Sequence, residues 1–78
     1  MDRNIKLIWD FKGEDGLKTA EHHVIHLKEF DQKEKTNSLN FGVETINPLH
    51  SIAFMVVSEN IVFSVRDALL PHRAEIAE

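Results

Sequence analysis

Histidine is the residue type in this chain that is abundant enough to suggest a chemical function. There are five histidines among 78 residues, and His22, His23 and His26 fall within one short segment. Histidine titrates near neutral pH and is the commonest metal ligand in proteins. The histidines therefore favour a metal site or a proton-transfer site.

The spacing of His22 and His26 is the first candidate metal arrangement. Residues four apart lie about one turn apart on the same face of a helix. Glu29 follows three residues later and could add a carboxylate, although the order His-Glu-x-x-His of known zinc helices is absent. The alternative is that both histidines face water, opposite the apolar stripe of the helix.

Hydrophobic periodicity predicts the first two elements that would position these histidines. Apolar residues alternate over residues 5–11, which predicts a strand with two distinct faces. Over residues 16–34 they recur every three or four positions without proline, which predicts a helix. Asp15 lies just before this helix and is a plausible N-cap.

Two further strands are predicted downstream. Residues 39–46 alternate weakly, which indicates an edge strand in which Gly42 could form a bulge. A turn follows at Asn47-Pro48. Residues 51–58 are apolar on both faces, which indicates a central strand covered on both sides.

The last third of the chain allows two interpretations. Residues 59–70 could continue as a β-hairpin, or they could form a helix that Asn60 caps and that ends before Pro71. The length of the helical pattern favours the helix. Residues 72–78 are predicted to be either a short last strand or disordered.

This order predicts a single α+β domain over residues 1–78, a ferredoxin-like βαββα(β) sandwich. An antiparallel sheet would carry two helices on one face. The segment order and the strand-to-helix passage from Ile52 to Ile61 resemble small members of the dimeric α/β-barrel superfamily, across essentially the whole chain. The resemblance implies two sheets packed face to face, with a ligand or substrate between sheet and helices. The strand over 51–58 separately favours a homodimer, since an apolar sheet face would otherwise be exposed.

The predicted topology brings residues from distant segments to one end of the sheet. Asp10, His50 and His72 lie at that end, and His22 and His23 lie about 10 Å down the helix from its start. A divalent metal such as zinc could be held there, by a two-His-one-carboxylate or a His-rich site. The predicted metal ligands are His22, His26, His50 and His72.

An enzyme would need acid–base groups, and the candidates are His23 and Asp10. His23 has an alternative role as a packed, hydrogen-bonded core residue. Asp10 has an alternative role as a cap of the turn or of the first helix. Arg73 could bind an anionic group or could simply be solvated.

Composition narrows the classes of function. The net charge of −4 disfavours nucleic-acid binding, and the lack of cysteine excludes disulfides and thiolate chemistry. No apolar run is long enough for a membrane span, and Met1 to Asn4 shows no signal peptide, so a cytoplasmic location is expected.

Three function classes remain open. The histidine excess favours a small dimeric ligand- or metal-binding module that uses the histidine-rich end. The alternatives are a dimeric α/β-barrel-type enzyme acting on a small organic molecule, and a non-catalytic interaction or accessory protein.

Overall fold

A computed structural model describes residues 3–77 of the chain. Met1 and Asp2, and Glu78 at the end of the predicted tail, lie outside the described residues. The elements in chain order are β1 (Asn4–Lys12), α1 (Gly16–Glu34), β2 (Asn40–Asn47), β3 (His50–Ser58), α2 (Val62–Leu69) and β4 (Arg73–Ala77).

The strands form one antiparallel sheet in the order β2-β3-β1-β4. The α+β class is therefore confirmed, and the arrangement is compatible with the predicted ferredoxin-like sandwich. β2 lies at an edge and β3 lies inside the sheet, as the patterns predicted. Residues 62–69 are helical, so the hairpin interpretation is wrong, and the tail forms a strand.

The core lies between the helices and one face of the sheet. One cluster of buried side chains draws from both helices and both inner strands, and its members are Leu7, Trp9, Leu27, Met55, Val57 and Val65. Both helices therefore pack on the same face, where burial of apolar surface stabilises the fold. Within residues 3–77, neither helix is long and apolar enough to cross a membrane.

The opposite face of the sheet is partly covered by the chain's own side chains. Ile8 and Ile52 point away from the helices, yet they are only 1% and 3% exposed. The ring of Phe54 lies against Gly42, and the Nζ atom of Lys6 lies 4.5 Å from the centroid of that ring. The expected exposed apolar face is therefore smaller than predicted, and the homodimer through it stays a prediction.

The bulge predicted at Gly42 is wrong. The irregularity in the pairing of β2 with β3 lies between Thr45 and Asn47. A Cβ atom on Gly42 would lie 2.5 Å from the ring of Phe54. The glycine therefore makes room for an aromatic ring of the neighbouring strand.

The helix caps differ in part from the predictions. Asp15 occupies the N-cap position of α1, but its side chain makes no capping hydrogen bond. Its backbone carbonyl accepts hydrogen bonds from the backbone N–H and the hydroxyl of Thr19, each at 3.0 Å. Asn60 does not cap α2, because Ile61 is the N-cap and the side chain of Asn60 instead contacts the hydroxyl of Ser58.

Gly16 allows the start of α1 to approach the sheet closely. A Cβ atom at Gly16 would lie 2.7 Å from the carbonyl oxygen of Phe11. In the preceding turn, the N–H of Gly13 donates to the carbonyl of Leu49 at 2.8 Å. The end of β1 is therefore fixed both to α1 and to the turn between β2 and β3.

Replacing Gly16 by Ala should destabilise the protein by about 1–3 kcal/mol, because the added methyl group meets backbone rather than a movable side chain. Urea unfolding measures this change. Lys18→Ala, on the exposed side of α1, is the control and should stay within about 0.5 kcal/mol of wild type. Equal unfolding midpoints for wild type and Gly16→Ala would contradict the close approach.

Candidate functional site

An open cleft of about 550 Å³ lies at the end of the sheet where β1 ends and β3 begins. The lining residues are Asp10, Lys12, His50, His72 and Arg73. The strand register places Asp10, Lys12, His50 and Arg73 on the sheet face that points away from the helices. The structure thus brings Asp10, His50 and His72 together, as the topology predicted.

Asp10 is the central polar group of the cleft. Its carboxylate accepts hydrogen bonds from Nε and Nη2 of Arg73, each at 3.1 Å. The Nε2 atom of His50 lies 2.8 Å from Oδ1 of the same carboxylate. The hydrogen bond from Arg73 is the main cause that lowers the pKa of Asp10 to about 2; burial opposes it, and His50 adds a smaller lowering. Asp10 is therefore ionised at neutral pH, and His50 donates to it through Nε2.

These contacts correct two sequence-based alternatives. The side chain of Asp10 binds Arg73 and His50 instead of capping the turn or α1. Arg73 is not simply solvated, since its guanidinium is paired with that carboxylate. Antiparallel pairing places Arg73 opposite Ile8, so its side chain lies on the same face as Asp10, two residues further along β1.

His72 joins β4 to β1 through its imidazole ring. Its backbone N–H donates to the carbonyl of Ile8 at 2.9 Å. Its Nδ1 atom lies 2.8 Å from the backbone nitrogen of Asp10. Because an amide N–H can only donate, Nδ1 must accept, and this network assigns the ring proton of neutral His72 to Nε2. The pairing of β4 with β1 ends at Ile8 and Arg73. Beyond it, the ring of His72 accepts the hydrogen bond of the Asp10 backbone N–H.

The predicted metal ligands do not form one cluster. His22 and His26 are exposed on α1, and neither lines the cleft. The Nδ1 atom of His26 lies 3.2 Å from Oε1 of Glu29, so this pair makes contact as its spacing suggested. Across residues 3–77, no group of three histidine, aspartate or glutamate side chains is placed to hold a metal ion. Zinc binding stays a prediction without a preformed ligand set.

His23 packs against the core face of the sheet rather than lining the cleft. Its ring centroid lies 4.8 Å from that of Trp9 and 5.4 Å from that of Phe11. Burial lowers its pKa, and the charges of His26 and His72 lower it further. Its buried Nε2 atom has no hydrogen-bond partner within residues 3–77. The predicted packing against the core is therefore confirmed, and the predicted hydrogen bond is not made by Nε2.

Lys12 is the cleft residue that sequence reasoning missed. The signal was present, because the alternation of β1 places Lys12 on the same face as Asp10. The role of Arg73 was harder to predict. Its position beside Asp10 depends on the register of β4, which the short pattern over 72–78 does not define.

No protein-family model matches this chain, and neither does any curated protein or solved structure. What the cleft can bind follows from its donors, acceptors and charges. The cleft is lined by two cationic side chains, Lys12 and Arg73, together with one carboxylate and two imidazoles.

Replacing Asp10 by Asn should lower the free energy of unfolding at neutral pH, because Arg73 and His50 lose a charged partner. Folding lowers the pKa of Asp10 from 3.8 to about 2, so its contribution is present above about pH 4 and is lost towards about pH 2. Urea unfolding across this range should show the difference between wild type and variant shrinking as the pH falls. Asp67→Asn, an exposed carboxylate on α2, is the control. A difference that does not depend on pH would contradict the ion pair.

Replacing His23 by Leu should reduce the loss of stability on mild acidification. Because burial lowers its pKa, His23 takes up a proton more readily in the unfolded chain, and stability falls below about pH 6.5. The variant also removes the unpartnered Nε2 atom, so we expect it to be at least as stable as wild type at about pH 5. His22→Leu, at an exposed position, should keep the wild-type slope. A steeper decline in His23→Leu would contradict this interpretation.

Proposed function

We propose that the chain is a small ligand-binding module whose cleft takes an anionic group, the phosphate or carboxylate of a small molecule. The observation that carries this proposal is the excess of positive charge and hydrogen-bond donors in the cleft. Arg73 and Lys12 are both cationic, and Asp10 is the only carboxylate among the lining residues.

Arg73 retains donors for a ligand. Asp10 takes the Nε hydrogen and one Nη2 hydrogen, which leaves the hydrogens of Nη1 free of that pair. The Arg73 side chain is 49% exposed, so those donors can be reached from solvent. A guanidinium held in place by a carboxylate presents a planar fork that suits the oxygens of a phosphate or carboxylate.

Lys12 supplies a charge that the cleft does not neutralise. Lys6, two strand positions from Ile8 on the same face, is paired with Glu44 at 3.1 Å. Lys12 makes no such ion pair with any residue between 3 and 77. It pairs with His50 across β1 and β3, and both residues line the cleft.

The same features disfavour a metal cation in the cleft. Both oxygens of Asp10 are engaged by Arg73, and the Nε2 hydrogen of His50 points at Oδ1. A divalent metal would have to displace the guanidinium and would be repelled by it and by Lys12. Zinc is therefore the weaker alternative to an anion.

The fold relationship is part of the proposal. The element order and the sheet order β2-β3-β1-β4 support a ferredoxin-like sandwich related to the dimeric α/β-barrel proteins. A homodimer through the face that bears Phe54 and Val56, both partly buried, is the corresponding expectation. Sedimentation equilibrium of the chain tests it directly.

The contact between Asp10 and His50 favours an enzyme as the second candidate. A carboxylate that orients an imidazole is the arrangement used in general acid–base catalysis. With Nε2 directed at Asp10, the Nδ1 atom of neutral His50 is the basic nitrogen. Hydrolysis of p-nitrophenyl phosphate and p-nitrophenyl acetate, compared between wild type and His50→Gln, tests this candidate. Equal background rates would exclude it for these two ester classes.

Titration of the ¹⁵N-labelled protein with inorganic phosphate, acetate and zinc chloride tests the binding proposal. We expect phosphate or acetate to shift the amide signals of Lys12, His50 and Arg73. Lys12→Gln should weaken the binding by about threefold or more, because a partly exposed charged contact is lost. Lys18→Gln, an exposed lysine on α1, is the matched control.

Two results would overturn the anion proposal. One is the absence of any saturable shift with both anions. The other is stoichiometric zinc binding that is lost in His50→Ala, which would show that the cleft takes a metal instead.

A further inference from the structure

We infer that His72 supplies the cleft with a fixed hydrogen-bond donor that selects a phosphate group over a carboxylate. This inference depends on the proposed anion site and names the class of its ligand. It follows from the hydrogen bond between the backbone of Asp10 and the ring of His72, not from the charge of the cleft.

The Asp10 backbone determines which nitrogen of His72 can donate. The amide N–H of Asp10 points at Nδ1 over 2.8 Å. An imidazole that accepts at Nδ1 and is neutral has its proton at Nε2. Among residues 3–77, no hydrogen bond engages that Nε2 atom, and His72 is exposed where it lines the cleft. The end of β1 therefore sets the orientation of a ring donor on a residue that lines the cleft.

The number of ligand oxygens distinguishes phosphate from carboxylate. A planar guanidinium binds two oxygens of one anion side by side. A carboxylate has no further oxygen, whereas a phosphate has additional oxygens that point away from that plane. A donor from His72, the residue just before Arg73 and β4, can therefore improve the binding of phosphate without improving that of a carboxylate.

His72 could instead serve only to dock β4 onto β1, and two substitutions distinguish that structural role from the role as a ligand donor. His72 immediately precedes β4, and its ring binds the backbone of β1. Many substitutions of His72 would therefore weaken the docking of β4 onto β1. Asparagine separates the two roles, because its Oδ1 occupies the position of Nδ1 and nothing occupies the position of Nε2. His72→Asn can keep the bond to Asp10 and lose the donor. His72→Gln is the converse, since its amide reaches the position of Nε2.

Two measurements test the inference. Long-range ¹H–¹⁵N spectra of the wild-type imidazoles, at about pH 8 where histidine is ordinarily neutral, report which nitrogen of His72 carries the proton. Titrations with inorganic phosphate and with acetate then compare wild type, His72→Asn and His72→Gln. His26→Asn, on the exposed face of α1, is the matched control.

The expected result has three parts. The spectra show the proton at Nε2, and phosphate shifts that nitrogen. His72→Asn binds phosphate about tenfold more weakly, the loss of one hydrogen bond to a charged group, while its acetate affinity is nearly unchanged. The Asp10 amide of His72→Asn stays protected in hydrogen exchange, and His72→Gln retains more phosphate affinity than His72→Asn.

Failure of the role proposed for His72 can be distinguished from failure of the proposed anion site. A proton at Nδ1, or equal losses of phosphate and acetate affinity in His72→Asn, overturns the role of His72 and leaves the anion site standing. Wild type that binds neither anion overturns both proposals. If His72→Asn does not fold, the wild-type tautomer and the response of its Nε2 to phosphate still decide the matter.

Discussion

The position of β1 between β3 and β4 is the constraint on which the rest of the structure depends. Antiparallel pairing on both sides places the end of β1 beside the start of β3 and the start of β4. Asp10 can therefore bind His50 from one neighbour and Arg73 from the other. One carboxylate connects three segments that are far apart in sequence, and its ionisation is maintained by the cation that it holds.

The two faces of the sheet are stabilised in different ways. The helix-covered face is a packed apolar core, to which α1 contributes Leu27 and α2 contributes Val65. Within residues 3–77 no helix covers the other face, and long or aromatic side chains cover its apolar atoms, as Phe54 does beside Gly42. Lys6 spans that ring and Glu44, so charged groups shield part of this face from water. The cleft lies at the end of this second face, beyond the side chains of Phe54 and Lys6.

Much of the fold could be predicted from the sequence because the patterns are local. Alternation over β1 and helical spacing over α1 give those elements directly, and the order of elements then brings Asp10, His50 and His72 to one end. The contacts that define the site were not predictable in the same way. Whether Arg73 is solvated or bound to Asp10 depends on the register of a five-residue strand, and a one-residue shift would move its side chain to the other face. His23 shows the same limit, since a helical pattern indicates that it packs but not whether its nitrogens find partners.

The C-terminal strand β4 is short, and nearly all of its side chains are exposed. Segments with little buried apolar surface open locally at a lower free energy than the core. His72 and Arg73, which begin this segment, would leave the cleft together whenever the strand detaches from β1. If the cleft binds the proposed anion, its apparent affinity is the intrinsic affinity multiplied by the fraction of molecules in which β4 is docked. A bound ligand would in turn stabilise the docked position of β4. Ligand binding in the cleft and docking of β4 onto β1 are therefore thermodynamically linked.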